Sequence, residues 1–292
     1  MSNVTSKRKI LFAINKAAGN NTMDCPALIP SFFEDKKEIQ YLLFDLPADN
    51  LKEALKESIA SFEPDIVVAV GGDGTIKLVA EVVMQTSIAI GVIPAGSANG
   101  MAKELKIPLE PLEALELIVK GIAKPIHLTR VNNKLCIHLS DIGFNASLVK
   151  RFQNMEHRGM WGYVKAAWSE LWHHSKMQAS FVLNNQKIKR DAVMIVVANA
   201  TSYGTGITVN PVGKLDDRLF EIIIIRKISL AEILKMRFST GVFHPEKTEV
   251  FQTNHVTIHS RKKVHFQVDG EYYGKVNELI AEVIPDAIKI IY

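Results

Sequence analysis

Apolar positions along the chain fall into two regimes. From residue 9 to residue 124, short apolar runs alternate with stretches in which apolar residues recur every three or four positions. Lys9–Ile14, Ile39–Leu46, Ile66–Val70 and Ser87–Ile93 read as strands. The third, Ile66-Val67-Val68-Ala69-Val70, is apolar throughout, the pattern of a strand covered on both faces in a parallel sheet. Leu51, Leu55, Ile59 and Phe62 lie at helical spacing and predict a helix over Leu51–Phe62. Other helices are expected over Ala27–Phe33, over Ile76–Met84, up to Leu105, and over Leu112–Lys120, where Gly121 supplies the stop. Strands alternating with helices predict a doubly wound α/β domain over residues 1–124. Ligands of such sheets bind at the carboxyl ends of the strands.

After Pro125 the pattern changes. Runs at Ile126–Val131, Leu135–Asp141, Gln178–Leu183, Ala192–Ala200, Leu219–Arg226, Val250–His259, Lys263–Val268 and Leu279–Ile284 are short, β-branched and bounded by turns. They predict a mostly antiparallel β-sandwich domain over residues 125–292. One helical stretch interrupts it, Met160–His174, with Trp161, Val164, Trp168, Leu171 and Trp172 on one face. That stripe reads as core packing or as the mouth of a site for an acyl chain. Met236, Phe238, Val242 and Phe243 read the same way. His173 and His174 are adjacent in a helix and cannot share a face. His255 and His259 stand too far apart along a strand to chelate one ion.

Composition changes this picture little. The 292 residues are enough for two domains, and a net charge of +4 admits an anionic nucleotide or membrane surface without choosing between them. Two cysteines, Cys25 and Cys136, predict a reduced cytosolic setting without disulfides. No stretch approaches the ~18 consecutive apolar residues of a membrane span. Lys7-Arg8-Lys9 precede Ile10–Ile14, but that run is shorter than the roughly 7–15 residues of a signal-peptide core, so it reads as the first strand.

Candidate chemistry gathers where strands meet helices. The loops 15–19, 71–75 and 96–100 all follow predicted strands. Gly71-Gly72-Asp73-Gly74-Thr75 turns a strand into a helix N-terminus, whose unpaired N–H groups favour a phosphate. Its glycines let the backbone approach a ligand closely. Asp73, set among those donors, points to a metal ion or to a hydroxyl awaiting deprotonation. Neither GxxxxGK[ST] nor GxGxxG occurs, so a P-loop and a Rossmann dinucleotide site are not supported.

These phrases resemble a known family. Residues 71–75, GGDGT, resemble the nucleotide-binding phrase of the diacylglycerol, sphingosine and ceramide lipid kinases and, more distantly, of the NAD kinases. Pro94-Ala95-Gly96-Ser97-Ala98-Asn99 is similar to the lipid-kinase phrase Pro-x-Gly-[ST]-x-Asn. Asn15 and Gly19 match an Asn-Pro-x-Ser-Gly phrase in which Lys16 and Ala18 replace the proline and serine. Asp269-Gly270-Glu271 resembles the family's Asp-Gly-Glu, and Asn210–Phe220 its Pro-x-Ala-x-x-Asp-Asp-Gly-x-Leu loop. Asn199, Tyr203–Gly206 and Gly162-Tyr163 are similar to further landmarks, so the likeness spans nearly the whole chain.

The resemblance implies an ATP-dependent lipid kinase that moves the γ-phosphoryl group to a hydroxyl of a lipid such as diacylglycerol or a sphingoid base. It implies nucleotide contacts from Asn15, Lys16, Ala17, Ala18, Gly19, Gly71, Gly72, Asp73, Gly74, Thr75, Ile76, Lys77, Ser97 and Asn99. Asp73 would organise Mg²⁺ or act as base, while Asp269 and Glu271 would face the phosphoryl-transfer centre. A structural cation would sit on Asp217 and the carbonyls of Lys214 and Leu219, oxygen ligands that suit Mg²⁺ or Ca²⁺. Gly100, His127 and Leu78 stand where relatives carry acids, and Arg218 where they carry glycine. Expected partners are a lipid with a free hydroxyl and, transiently, the inner face of the membrane, reached from the cytoplasm. No nucleic acid is expected, and a homodimer stays open. Two other readings also stay open: an NAD kinase-like enzyme, and a catalytically weak nucleotide- or lipid-binding protein.

Overall fold

The computed structural model describes residues 7–18, 25–153, 176–183, 186–202, 208–227 and 247–292. The chain divides into two compact units. One comprises the residues up to Ile126 together with Asp286–Tyr292, the other His127–Pro285.

The first unit follows the α/β alternation. Its elements are β1 (Arg8–Ile14), α1 (Cys25–Phe33), β2 (Ile39–Asp45), α2 (Leu51–Phe62), β3 (Ile66–Gly71), α3 (Asp73–Val83), β4 (Ala89–Pro94), α4 (Gly100–Glu104) and α5 (Pro111–Lys120). All four strands pair in parallel, in the order β2-β1-β3-β4. Every residue of β3 and of β4 is buried, as a continuous apolar run requires when helices cover both faces. Burying each Val or Ile of β3 contributes roughly 1.5–3 kcal/mol. Beneath the sheet, Phe12, Phe33 and Tyr41 pack ring against ring beside Ile29 of α1 and Leu115 of α5. Chain order reverses between β1 and β3, so the switch point of the sheet lies between the loops that leave those two strands.

One further strand completes this sheet. The last element of the chain, β14 (Glu271–Ile291), ends by pairing Lys289 and Ile290 in parallel with Ala89 and Ile90 of β4. Ile291 joins the apolar cluster of Ile66, Val68 and Ile118.

The second unit is antiparallel. After β5 (Ala123–Val131) come β6 (Lys134–Cys136), β7 (Leu139–Gly143), α6 (Phe144–Gln153), β8 (Met177–Leu183), β9 (Gln186–Ala192), β10 (Met194–Ala198), β11 (Phe220–Ile225), β12 (Thr248–Thr253), β13 (His255–Val268) and then β14. The main path runs β12-β11-β10-β7-β13-β14, with β8 and β9 branching from β13. The long β13 pairs with β8 through Thr257–Ser260 and with β7 through Phe266–Val268, with register shifts between His259 and Val264. A strand that changes partners at a bulge turns the corner of a sandwich. Phe181 of β8 accordingly shares one core with Ile222 of β11 and Val197 of β10. On the other face, Phe144 and Leu148 of α6 cover Met194, Val196 and Ile223.

Several boundaries differ from the expectation, each for a local reason. Helix α3 starts at Asp73 rather than Ile76, because the Gly72 carbonyl already accepts the N–H groups of Thr75 and Ile76. The run Leu135–Asp141 is two strands, because the N–H groups of Ile137 and His138 go to the Asp269 carboxylate instead of a neighbouring strand. Val250–His259 breaks at Asn254, where the Thr253 hydroxyl donates to the His255 carbonyl. Lys263–Val268 is the far end of β13, and Leu279–Ile284 the middle of β14. The Met160–His174 stripe, residues 203–206 and residues 236–243 lie outside the described residues.

Candidate active site

In the first unit three loops leave the carboxyl ends of adjacent strands and lock together. After β1, the Asn15 side chain holds its own turn by accepting the Ala17 N–H at 3.0 Å, and its Nδ2 donates to Thr75 Oγ1 at 3.1 Å. Lys16 is exposed and pairs with Asp45 at 2.6 Å. Ala17 and Ala18 complete the turn, while Gly19 lies outside the described residues.

After β3, Gly71 closes the strand and Gly72 caps α3, with Asp73, exposed Gly74, and buried Thr75, Ile76 and Lys77 in its first turns. No side chain caps this N-terminus. Glycine is required where the loops touch: a Cβ on Gly96 would stand 2.4 Å from the Gly72 Cα. After β4, Ser97 is exposed and Asn99 adopts a left-handed φ of 52°. The Asn99 side chain both accepts from and donates to the Gly96 backbone at 2.9 Å.

Asp73 is the clasp of this assembly. Its Oδ2 accepts the Gly100 N–H and its Oδ1 the Met101 N–H, each at 2.9 Å. A single carboxylate thereby joins the glycine loop after β3 to the first turn of α4.

The second unit holds its acids on a hairpin. Asp269 (φ 49°) and Gly270 (φ 85°) form the two-residue turn between β13 and β14, both at the positive φ that a type I′ turn demands. Asp269 Oδ1 accepts the His138 N–H at 2.9 Å and Oδ2 the Ile137 N–H at 3.1 Å. On their other side, Asn199 donates to the Ile137 carbonyl and takes the Thr129 hydroxyl at 2.7 Å. Glu271 is exposed and accepts the Tyr273 hydroxyl.

The 210s loop packs around a buried acid. Asp217 accepts the Leu219 N–H at 3.0 Å and the Gln252 side-chain amide at 3.2 Å. Beside it Glu221 is buried and bonded by the Asn210 and Gln252 amides. Burial pushes the Glu221 carboxyl above the ordinary carboxylate range, and the Asp217 charge pushes the same way. The groups shown against both carboxylates are N–H donors: the Leu219 amide and the Asn210 and Gln252 side chains. Arg218 takes a left-handed φ of 62° where a glycine would be easiest, and its N–H donates to Nδ1 of the buried His127 at 3.1 Å. Among the described residues no group of three or more His, Cys, Asp or Glu gathers for a metal.

No motif points to a role for Asp141, Gln267, Asn145 or Glu221, which pack directly against these loops and turns. The one available signal is polarity inside an apolar run: Asp141 is followed by Ile142 and Gly143 in a strand that is buried throughout.

A parallel sheet whose loops interlock at the carboxyl ends of its strands is followed in the chain by an antiparallel unit with a carboxylate hairpin. Residues 9–131 match the family model of the diacylglycerol kinase catalytic domain, and residues 140–292 that of the YegS C-terminal NAD kinase beta sandwich-like domain. The chain belongs to the diacylglycerol kinase-like lipid kinase family, and is thus a phosphotransferase. It is 27% identical over 237 residues to the diacylglycerol kinase of Bacillus subtilis, covering 78% of this chain and 77% of the relative. Identity to the diacylglycerol kinase of Mycobacterium tuberculosis is 28% over 239 residues, 78% and 76% of the two chains. The fold matches the crystal structure of a diacylglycerol kinase from Bacillus anthracis with a TM-score of 0.72 at 18% identity, over 99% and 98% of the chains. No helix among the described residues is long and apolar enough to cross a membrane.

Proposed function

We propose that this lipid kinase uses ATP and transfers its γ-phosphoryl group to a hydroxyl of a lipid such as a diacylglycerol or a sphingoid base. The observation that carries the reading is the Asp73 clasp. It ties the loop after β3 to that after β4, while Asn15 ties in the loop after β1 through Thr75, with an uncapped helix N-terminus among them, which suits a polyphosphate. Asn15–Ala18 with Gly19, Gly71–Lys77, Ser97 and Asn99 hold the nucleotide. Asp73 holds the accompanying Mg²⁺, which when bound supplies charge neutralisation on the triphosphate. Asp217 with the carbonyls of Lys214 and Leu219 holds a second, structural cation.

In the reaction the acceptor hydroxyl oxygen forms a bond to the γ-phosphorus as the bond to the β–γ bridging oxygen breaks. ADP leaves with that oxygen, and the hydroxyl proton passes to a carboxylate oxygen. Asp73, Asp269 and Glu271 are the groups assigned to catalysis. Asp269 is held rigid by two backbone amides, whereas Glu271 is exposed and shares a hydrogen bond with a phenol. Transient contact with the inner membrane face follows from where such a lipid resides.

The deciding experiment offers γ-labelled ATP with dispersed diacylglycerols, sphingoid bases, ceramides and NAD to the full chain. Label in a lipid supports the reading. Label in NAD alone overturns it in favour of an NAD kinase-like enzyme. Tight ATP binding with no ADP release over the whole panel overturns it in favour of a binding protein.

A further inference from the structure

The turn carrying Asp269 and Glu271 is fastened from within by side chains that no step above uses. The Gly270 N–H donates to Gln267 Oε1 at 2.8 Å. Gln267 is completely buried, and its Nε2 donates to Asp141 Oδ2. Asp141, equally buried, receives Asn145 Nδ2 on the same oxygen at 2.7 Å. The Ser140 hydroxyl donates to the Gln267 carbonyl at 2.7 Å. Chemistry fixes the orientation of the amide: its oxygen must face the Gly270 N–H, and its nitrogen the carboxylate.

We propose that Asp141 and Gln267 are positioning residues for the Asp269–Glu271 turn. The Asp141 carboxylate orients the Gln267 amide, and that amide holds Gly270 and so aims the acids on either side of it. A buried carboxylate costs more to dehydrate than an apolar side chain of similar volume, so this chain of polar atoms serves geometry rather than cohesion. Asp269 and Gly270 already suit the type I′ turn, so what this chain of side chains adds is the aim of the turn's acids. The inference rests on the lipid-kinase reading.

Its test is a donor–acceptor exchange in the full chain, assayed with γ-labelled ATP and the lipid of the panel that the wild type phosphorylates. Gln267→Leu removes the acceptor from Gly270. Its kcat is expected to fall about tenfold or more while KM for ATP stays within about twofold, because positioning and not nucleotide binding is lost. Exchange of the Gly270 amide with solvent, followed by NMR, is expected to quicken about tenfold or more. Gln267→Glu sets two carboxylates against each other and shows the same defects. Adding Asp141→Asn to Gln267→Glu restores the chain with the donor direction reversed at this link, the Asn145 amide turning to present its oxygen to the new donor, and both readouts return to within about threefold of wild type. Full turnover by Gln267→Leu, with Asp269→Asn and Glu271→Gln inactive, overturns the positioning role and leaves the kinase reading standing. Loss of activity that merely tracks thermal stability, without rescue in the double variant, also overturns it. A wild-type chain inert toward every lipid in the panel brings down both.

Discussion

Asp73 and Asp269 each tie two stretches of backbone together through both oxygens of a carboxylate, yet the stretches differ in kind. Asp73 opens a helix and reaches amides 27 and 28 residues ahead, at the next β–α connection of the same parallel sheet. Asp269 sits at a hairpin tip and reaches amides 131 and 132 residues behind it, in a strand pair that its own grip interrupts. The first clasp joins loops that the sheet has already brought side by side. The second helps to create the arrangement it holds. Removing Asp73 should therefore injure chemistry more than folding, and removing Asp269 should injure both.

Predictions that press on this contrast run from large to small. Asp73→Asn is expected to cut turnover about a hundredfold or more, the scale of a lost general base or metal anchor. Its stability loss should stay near about 1 kcal/mol, since one oxygen still accepts an amide. Steady-state kinetics beside urea titration checks both, and near-native turnover refutes the assignment. Asp269→Ala leaves the N–H groups of buried Ile137 and His138 without their acceptor and is expected to cost about 2–4 kcal/mol by the same titration. Gly96→Ala forces a methyl group against the Gly72 backbone. It should cost about 1–3 kcal/mol and weaken ATP binding by calorimetry, which tests whether the two loops must touch.

The smallest effect concerns Glu221, whose folded carboxyl titrates above its unfolded value because of burial and of Asp217. The folded state then binds the extra proton. The stability this group contributes is complete below the ordinary carboxylate range and is lost as pH rises through the raised value. Thermal melts from acid to neutral pH should show that decline in the wild type and a shallower one in Glu221→Gln.

The same contrast explains what could be read from the sequence. In the first unit nearly every element is local: apolar runs predict β1 to β4, most clearly β3 and β4, which are buried throughout, and helical spacing predicts α2. The phrase at 71–75 announces its loop because glycine has few other reasons to recur so densely. In the second unit the determinants are distant. Strand β9, Gln-Lys-Ile-Lys-Arg-Asp-Ala, carries few apolar residues and is a strand because β8 pairs with all of it. The break after Cys136 depends on an aspartate far along the chain, and the role of Gln267 on Asp141, 126 residues earlier. Such pairings have no periodicity to betray them. The chemistry expected of Asp73 follows from its place among helix N-terminal donors and that of Asp269 and Glu271 from phrase likeness, whereas the bonds by which Asp73 and Asp269 clasp distant amides leave no mark in the sequence.

The end of β14 has a consequence for biosynthesis. The outer edge of β4 and the apolar pocket that takes Ile291 receive their partners from residues 289–291, which leave the ribosome long after the rest of that sheet. Until they arrive, the nascent nucleotide-type unit presents an open strand edge, the kind of surface on which chaperones and stray strands compete. Translation must therefore pass through the whole β-rich unit before the first sheet is closed.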